Sequence, residues 1–271
     1  MITFKAQKNA KLSKIVLKEF PEISYSAFMK LLRNKDVKIN GVRVKEDVEL
    51  AVSDEVILYF SAPKISKFSL VFKDENIIVI NKEKGVLSEE IFEEIFKECP
   101  TAKFIHRLDR NTSGIMVFAL NETAEKELLL GFKNHVFDKR YRATVKGVPC
   151  VEKGVYEAFL LKDATASTVK IFDKKVKGSV PIKTGFEVIE KKAETSILEV
   201  KLYTGKTHQI RAHLSYLGYP ILGDEKYGDS AFNKKYSVKK QMLSAYKLTL
   251  YFNEKSPLYY LNGKTFKLEN K

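Results

Sequence analysis

The chain has 271 residues, 44% of them hydrophobic, which is enough for one large domain or two unequal ones with a real core. Lysine and arginine number 48 against 34 acidic residues, and a net charge of +14 favours a polyanionic partner, most simply nucleic acid. No apolar run approaches the roughly 18 residues that span a bilayer, no signal-type segment follows the first residues, and Cys99 and Cys150 form no CxxC pair, so the sequence argues against membrane proteins, exported disulfide scaffolds and zinc proteins and predicts a soluble, cytoplasmic one.

Residues 11–33 read as two short helices separated by Pro21. Leu12, Ile15, Val16 and Phe20 make one apolar stripe, and Phe28, Leu31 and Leu32 another. Ser24 or Ser26 is placed to cap the second helix, and VKINGVRV then carries Asn40-Gly41, a strong hairpin signal. Residues 1–45 hold eleven basic and three acidic residues, whereas 46–55 hold five acidic ones, so positive charge is segregated at one end. In this stretch Lys30, Arg33 and Lys35 flank the second helix and its exit and are candidates for phosphate contacts; a solvated helix face is the plainer reading. SAPKISKFS (61–69) contains a proline, is short in large apolar residues and reads as a linker.

A second domain, 70–271, follows. IIVINK (77–82) and GIMVFAL (114–120) are expected buried strands, and EEIFEEIFKE (89–98) is an expected amphipathic helix between them. Asn121 is placed to cap a helix running to about Phe132. KTGFEVIE and TSILEVKLY alternate around a polar turn, QMLSAYKLTLYF is another strand, and LYYLNGKTFKLE repeats the hairpin signal. The predicted class is α+β, with a largely antiparallel sheet flanked by helices.

HRLDRNTSG (106–114) places Asp109 at the mouth of the 114–120 strand, where a turn can aim a carboxylate into a cleft. A plain turn built from Asp109, Asn111, Thr112, Ser113 and Gly114 is the equal alternative. The neighbouring arginines are expected to hold the carboxylate ionised, as a nucleophile needs. TGKTHQIRAHLSYLGYP (204–220) reads as a helix capped by Thr207, striped by Ile210, Leu214 and Leu217, and ended by Gly218. Arg211 then falls in the first turn, where a cation opposes the helix dipole, so an anion such as Asp109 or a phosphate is expected opposite it. His208 and His213 lie about 140° apart on such a helix, which argues against a shared metal. In DKRYRATVKG (138–147) Tyr141 shares a face with Ala143 and Val145; it is a core tyrosine or a ring on which an extruded base stacks.

These stretches, in this order, resemble the RluA family of pseudouridine synthases, the type that modifies large-subunit ribosomal RNA. HRLDRNTSG is similar to that family's catalytic loop, KRYRATVKG to its tyrosine motif, TGKTHQIRAHLSYLGYPILGDEKYG to its arginine motif and KDENIIVINKEKG to its opening strand, over about 70–250. Residues 11–60 resemble the alpha-L type RNA-binding module that often precedes this domain. The resemblance implies that Asp109 attacks the target nucleotide and that Tyr141 packs against its base and takes part in proton removal. It further implies that Arg211 pairs with the aspartate and that Arg107 helps hold a flipped-out uridine. It implies isomerisation of uridine in RNA, with ribosomal RNA favoured over transfer RNA, and no cofactor, metal, membrane or protein partner. A non-catalytic RNA-binding or ribosome-assembly protein that retains the fold is the alternative.

Overall fold

The computed structural model describes residues 1–21, 23–60, 67–163 and 165–269. By internal contacts the chain divides into two units, Met1–Ile65 and Ser66–Lys271.

The first unit contains β1 (Ile2–Lys5), β2 (Ala10–Lys11), α1 (Leu12–Glu19), α2 (Tyr25–Arg33), β3 (Val37–Ile39), β4 (Val42–Val44), β5 (Glu49–Leu50) and β6 (Glu55–Leu58). The side chain of Ser24 caps α2 by accepting from the backbone of Ala27 at 3.2 Å. Asn40 and Gly41 take positive φ values of 47° and 82°, which is what a two-residue hairpin between right-twisted strands demands. Leu12, Ile15 and Val16 of α1 meet Phe28 and Leu32 of α2 in one buried cluster with Val56 and Leu58 of β6. The four-stranded sheet beneath runs β1-β6-β3-β4.

The second unit holds β7 (Phe68–Lys73), β8 (Ile77–Lys82), α3 (Ser88–Glu98), β9 (Ser113–Ala119), α4 (Glu122–Lys133), β10 (Asp138–Lys146), β11 (Lys153–Asp163) and β12 (Thr168–Phe172). It continues with β13 (Val180–Lys191), β14 (Thr195–Leu202), α5 (Gln209–Tyr216), α6 (Ser230–Lys235), β15 (Leu243–Thr249) and β16 (Thr265–Lys267). Residues 61–66 of the expected linker lie outside the described residues, and Phe68 and Ser69 already belong to β7. The sheet runs β12-β11-β13-β14-β10-β15-β9-β8-β7, with β16 paired to β15. Among the described residues every pairing in it is antiparallel except that of β15 with β9. The fold is therefore α+β. Among the described residues no helix is long and apolar enough to cross a membrane.

The unbroken apolar run of β8 has a direct cause: both faces of the sheet are covered. Ile77 and Val79 pack toward Leu128 of α4, and Ile78 and Ile80 toward Ile91 and Ile95 of α3. Asn121 caps α4 through Ala124 at 2.8 Å. The hairpin expected in LYYLNGKTFKLE does not form. Leu258 and Leu261 are both fully buried, a spacing of three that suits the 3-10 turn Tyr259–Leu261 and not an alternating strand. Only Thr265–Lys267 extends, and it pairs with β15.

One seam positions the site. Ser113 and Gly114 of β9 lie opposite Ser244 and Ala245 of β15, and Ala245 in turn lies opposite Tyr141 of β10. The strands close tightly here: a Cβ built on Gly114 would fall 2.2 Å from the carbonyl oxygen of Ala245, and φ at Gly114 is +123°. Only glycine fits. Tyr141 is thereby set one strand away from the start of β9, and Asp109 lies just upstream of it.

Candidate active site

The loop before β9 is pinned residue by residue. His106 stacks on Phe132 with ring centroids 4.4 Å apart, and its Nε2 accepts from the backbone of Val117. Burial depresses its pKa to about 3, so the ring is neutral. The buried hydroxyl of Ser88 accepts from Leu108 N and donates to Leu108 O. Lys82, wholly buried, donates Nζ to the carbonyls of Arg110 and Glu83 at 2.9 and 3.0 Å; burial lowers its pKa to about 8 against the pull of Asp109 and nearby glutamates. Gln241 donates to the hydroxyl of Thr112. Thr112 N closes the turn onto the carbonyl of Asp109 at 3.0 Å. The turn reading and the cleft reading are thus both realised: the backbone of residue 109 makes the turn and its side chain is spent elsewhere.

That side chain meets Arg211. Nη1 of Arg211 donates to Asp109 Oδ2 at 2.9 Å. The arginines adjacent in sequence do not provide this charge, contrary to expectation: Arg110 donates Nε to Gly85 O, and Arg107 pairs with Glu89 at 2.9 Å. Both point away because the pinned loop turns their side chains to its rim.

Arg211 is fixed from behind by Asp224, which the sequence reading missed. Nε and Nη2 of Arg211 donate to Oδ2 and Oδ1 of Asp224 at 2.6 and 2.9 Å, a bidentate fork. The Asp224 side chain has no exposed surface and also accepts from the backbones of Lys226 and Tyr227. Burial raises the pKa of Asp224, but Arg211 and these amides more than reverse it, leaving the carboxyl below its ordinary range. Burial likewise pulls the Arg211 pKa down, and the two carboxylates raise it further than burial lowers it. Asp224 lies thirteen residues beyond Arg211, past the end of α5. Its signal was GDEKYG at the close of the arginine stretch.

The start of α5 also differs from expectation. The N-cap is His208 rather than Thr207, in a left-handed conformation with φ 54° and no capping side chain. Gln209 instead ties the start of the helix to the preceding loop and to β13. Its Oε1 accepts from Thr204 Oγ1 and Lys206 N, and its Nε2 donates to Lys183 O and Thr184 Oγ1. The turn aims the His208 ring inward, with Nδ1 2.9 Å from the Tyr227 hydroxyl and Nε2 3.9 Å from Asp109 Oδ2. His213 diverges from it and bonds Thr184. Gly218, with φ +89°, follows the helix, where Tyr219 N bonds Leu214 O.

Asp109, Tyr141, Arg211, Thr112, His208 and Lys139 line one cleft of about 320 Å³. Arg107 reaches its edge with a largely exposed side chain. Burial first, then the Asp109 carboxylate, push the Tyr141 phenol pKa up, so the ring enters any reaction protonated. The arrangement offers a carboxylate, oriented by a guanidinium, in a cleft that an aromatic ring also lines. Lys30, Arg33 and Lys35 belong to the other unit; all three are exposed, and none forms an ion pair among the described residues.

A sequence profile described as RNA pseudouridylate synthase matches residues 76–216. An uncharacterized RNA pseudouridine synthase of Mycoplasma pneumoniae is 32% identical over 90% of this chain and 86% of its own length. The ribosomal large subunit pseudouridine synthase C of Vibrio cholerae is 32% identical over 80% of this chain and 75% of its own. Among solved structures, Human RNA Pseudouridylate Synthase Domain Containing 1 superposes with a TM-score of 0.60 at 26% identity, covering 70% of this chain and 80% of that one.

Proposed function

The chain belongs to the RNA pseudouridylate synthase family and is an isomerase of uridine in RNA, and on that premise we propose that its substrate is ribosomal RNA and its nucleophile Asp109. The observation that carries the assignment of Asp109 is the relay Asp224–Arg211–Asp109. A buried carboxylate holds the guanidinium, and the guanidinium holds the loop carboxylate that is turned into the cleft.

The geometry supports a division of labour. A uridine everted from its stack brings its glycosidic bond to Asp109, whose oxygen attacks the target nucleotide; the N1–C1′ bond breaks, the uracil turns, C5 bonds to C1′, the bond to Asp109 breaks and returns its electron pair to the carboxylate, and the C5 proton leaves while N1 gains one. Tyr141 packs against the base as a neutral phenol. A part in removing the C5 proton requires that phenol to ionise first, which the adjacent carboxylate opposes. Arg107, at the edge of the cleft, helps hold the everted uridine. Eversion costs a few kcal/mol, least where the RNA is already irregular. With that substrate the protein works in the cytoplasm. Mapping pseudouridines in ribosomal RNA from cells with and without this chain tests the substrate: at least one large-subunit position should revert to uridine, and an unchanged map would overturn ribosomal RNA as the target.

The same proposal makes 1–60 an RNA-binding module of alpha-L type joined to the catalytic domain, with Lys30, Arg33 and Lys35 on phosphates. Deleting 1–60 is expected to weaken RNA binding about tenfold or more at moderate salt. The slope of log affinity against log salt should become shallower by about 0.7 to 0.9 for each phosphate that the deletion leaves unneutralised. Fluorescence anisotropy across a potassium chloride series checks this, and an unchanged slope would assign RNA capture to the catalytic domain.

A further inference from the structure

Lys139 is a cleft lysine whose placement the proposed chemistry leaves unused. It sits on β10 two residues before Tyr141, on the same face, with only 9% of its surface exposed. Among the described residues its ammonium forms no hydrogen bond and no ion pair; it lies over the Phe132 ring, 5.8 Å from the centroid. Yet Nζ is not sealed off, because it opens onto the cleft beside Gly205, where a built Cβ would lie 3.8 Å away. A desolvated cation without a counter-charge is costly to keep.

A second lysine lines the cleft at this end, and a histidine lies within electrostatic reach of both. Lys206 lies on the loop that passes Gly205 and lines the same cleft, and His135 lies between α4 and β10. Both lysines reach His135 electrostatically: its pKa is lowered first by burial, then by Lys139 and Lys206. Neither Lys206 nor His135 has a side-chain hydrogen bond or an ion pair among the described residues. The other basic residues around this part of the sheet differ. Lys201 and Arg140, on the opposite face of β10 and β14, are matched by Asp138 and Glu199.

We propose that Lys139, flanked by Lys206, forms an anion subsite for an RNA backbone phosphate adjoining the uridine held in the cleft. The inference rests on the reading of the cleft as the uridine site and adds a positioning role: the phosphate is clamped at one end while Arg211 orients Asp109 at the other. Lys139 supplies the buried anchor and Lys206 the exposed approach. A phosphate suits the position because its charge answers a cation that no carboxylate among the described residues neutralises.

The test uses the full chain and a stem-loop RNA with a uridine loop, made either with natural loop linkages or with uncharged methylphosphonate ones. Lys139→Met is expected to weaken binding of the natural loop about tenfold and to flatten the salt slope by about 0.7, one single-strand phosphate contact. On the methylphosphonate loop the wild type and the variant should bind alike. Lys139→Arg should restore binding of the natural loop. A difference that survives neutralisation of the loop would overturn the proposal, since Nζ would then be meeting a base, and so would equal binding of the natural loop by wild type and Lys139→Met. The urea midpoint of Lys139→Met should equal or exceed that of wild type, because an unpaired buried charge is removed; a lower midpoint would make Lys139 a part of the fold instead. The comparison reads binding alone, so it stands apart from the nucleophile assignment, which turnover of an Asp109 variant decides.

Discussion

Asp109→Asn is expected to lower pseudouridine formation by about four orders of magnitude while RNA affinity changes less than about threefold. The amide is isosteric, and its oxygen can still accept from Nη1 of Arg211, so the pinned loop and the cleft keep their shape. What disappears is an anionic oxygen able to form a covalent bond, and removal of a nucleophile in a site that otherwise persists typically costs about 10⁴ or more. A factor of about 10⁴ corresponds to about 5.4 kcal/mol of barrier. Release of tritium from transcripts carrying 5-tritiated uridine measures turnover, and anisotropy measures binding. Retention of even a few per cent of wild-type rate would remove Asp109 from the role of nucleophile.

The second large effect is expected at a residue that has no path to the substrate. Asp224→Ala leaves the guanidinium of Arg211 with 8% of its side chain exposed and half its charge partners gone. Breaking a buried pair from one side costs about 3 to 5 kcal/mol. Urea denaturation should show that drop, and turnover should fall as well, because the fork that orients Arg211 is gone. Asp224→Asn keeps the shape and should fall between. The double variant Arg211→Met with Asp224→Leu is expected to recover much of the stability and none of the activity, which separates the two contributions. A destabilisation under about 1 kcal/mol for Asp224→Ala would refute the relay. The pair also carries a pH dependence. The carboxyl of Asp224 has a folded pKa below the unfolded value near 3.8, so its contribution is fully present above about pH 4 and disappears as pH falls through the depressed value.

What the sequence made legible was local chemistry. Asn40-Gly41 announced its hairpin because few residues tolerate two positive φ values, and Asn121 announced α4 because a cap must sit where the apolar period begins. The run IIVI marked a strand covered on both faces. Tyr141, Arg211 and Asp109 were placed in the order of their motifs, and the structure brings them to one cleft. What stayed hidden depended on distance. Asp224 acts on Arg211 across the end of a helix, and no period or cap records that. The flanking arginines were given to Asp109 on adjacency in sequence, whereas a loop pinned by Lys82 and Ser88 turns them outward. LYYLNGK was misread since its turn signal was real but the residues before it bury at a spacing of three.

Gly114 has no functional group, yet the row of three strands through it sets where the Asp109 carboxylate hangs relative to Tyr141. Any larger residue would wedge β9 from β15, and the displacement would travel a few residues back along the chain into the loop that carries the carboxylate. A hydrogen atom at that seam thus governs the geometry of a cleft it does not line, and one added methyl group would move the carboxylate without altering any side chain around it.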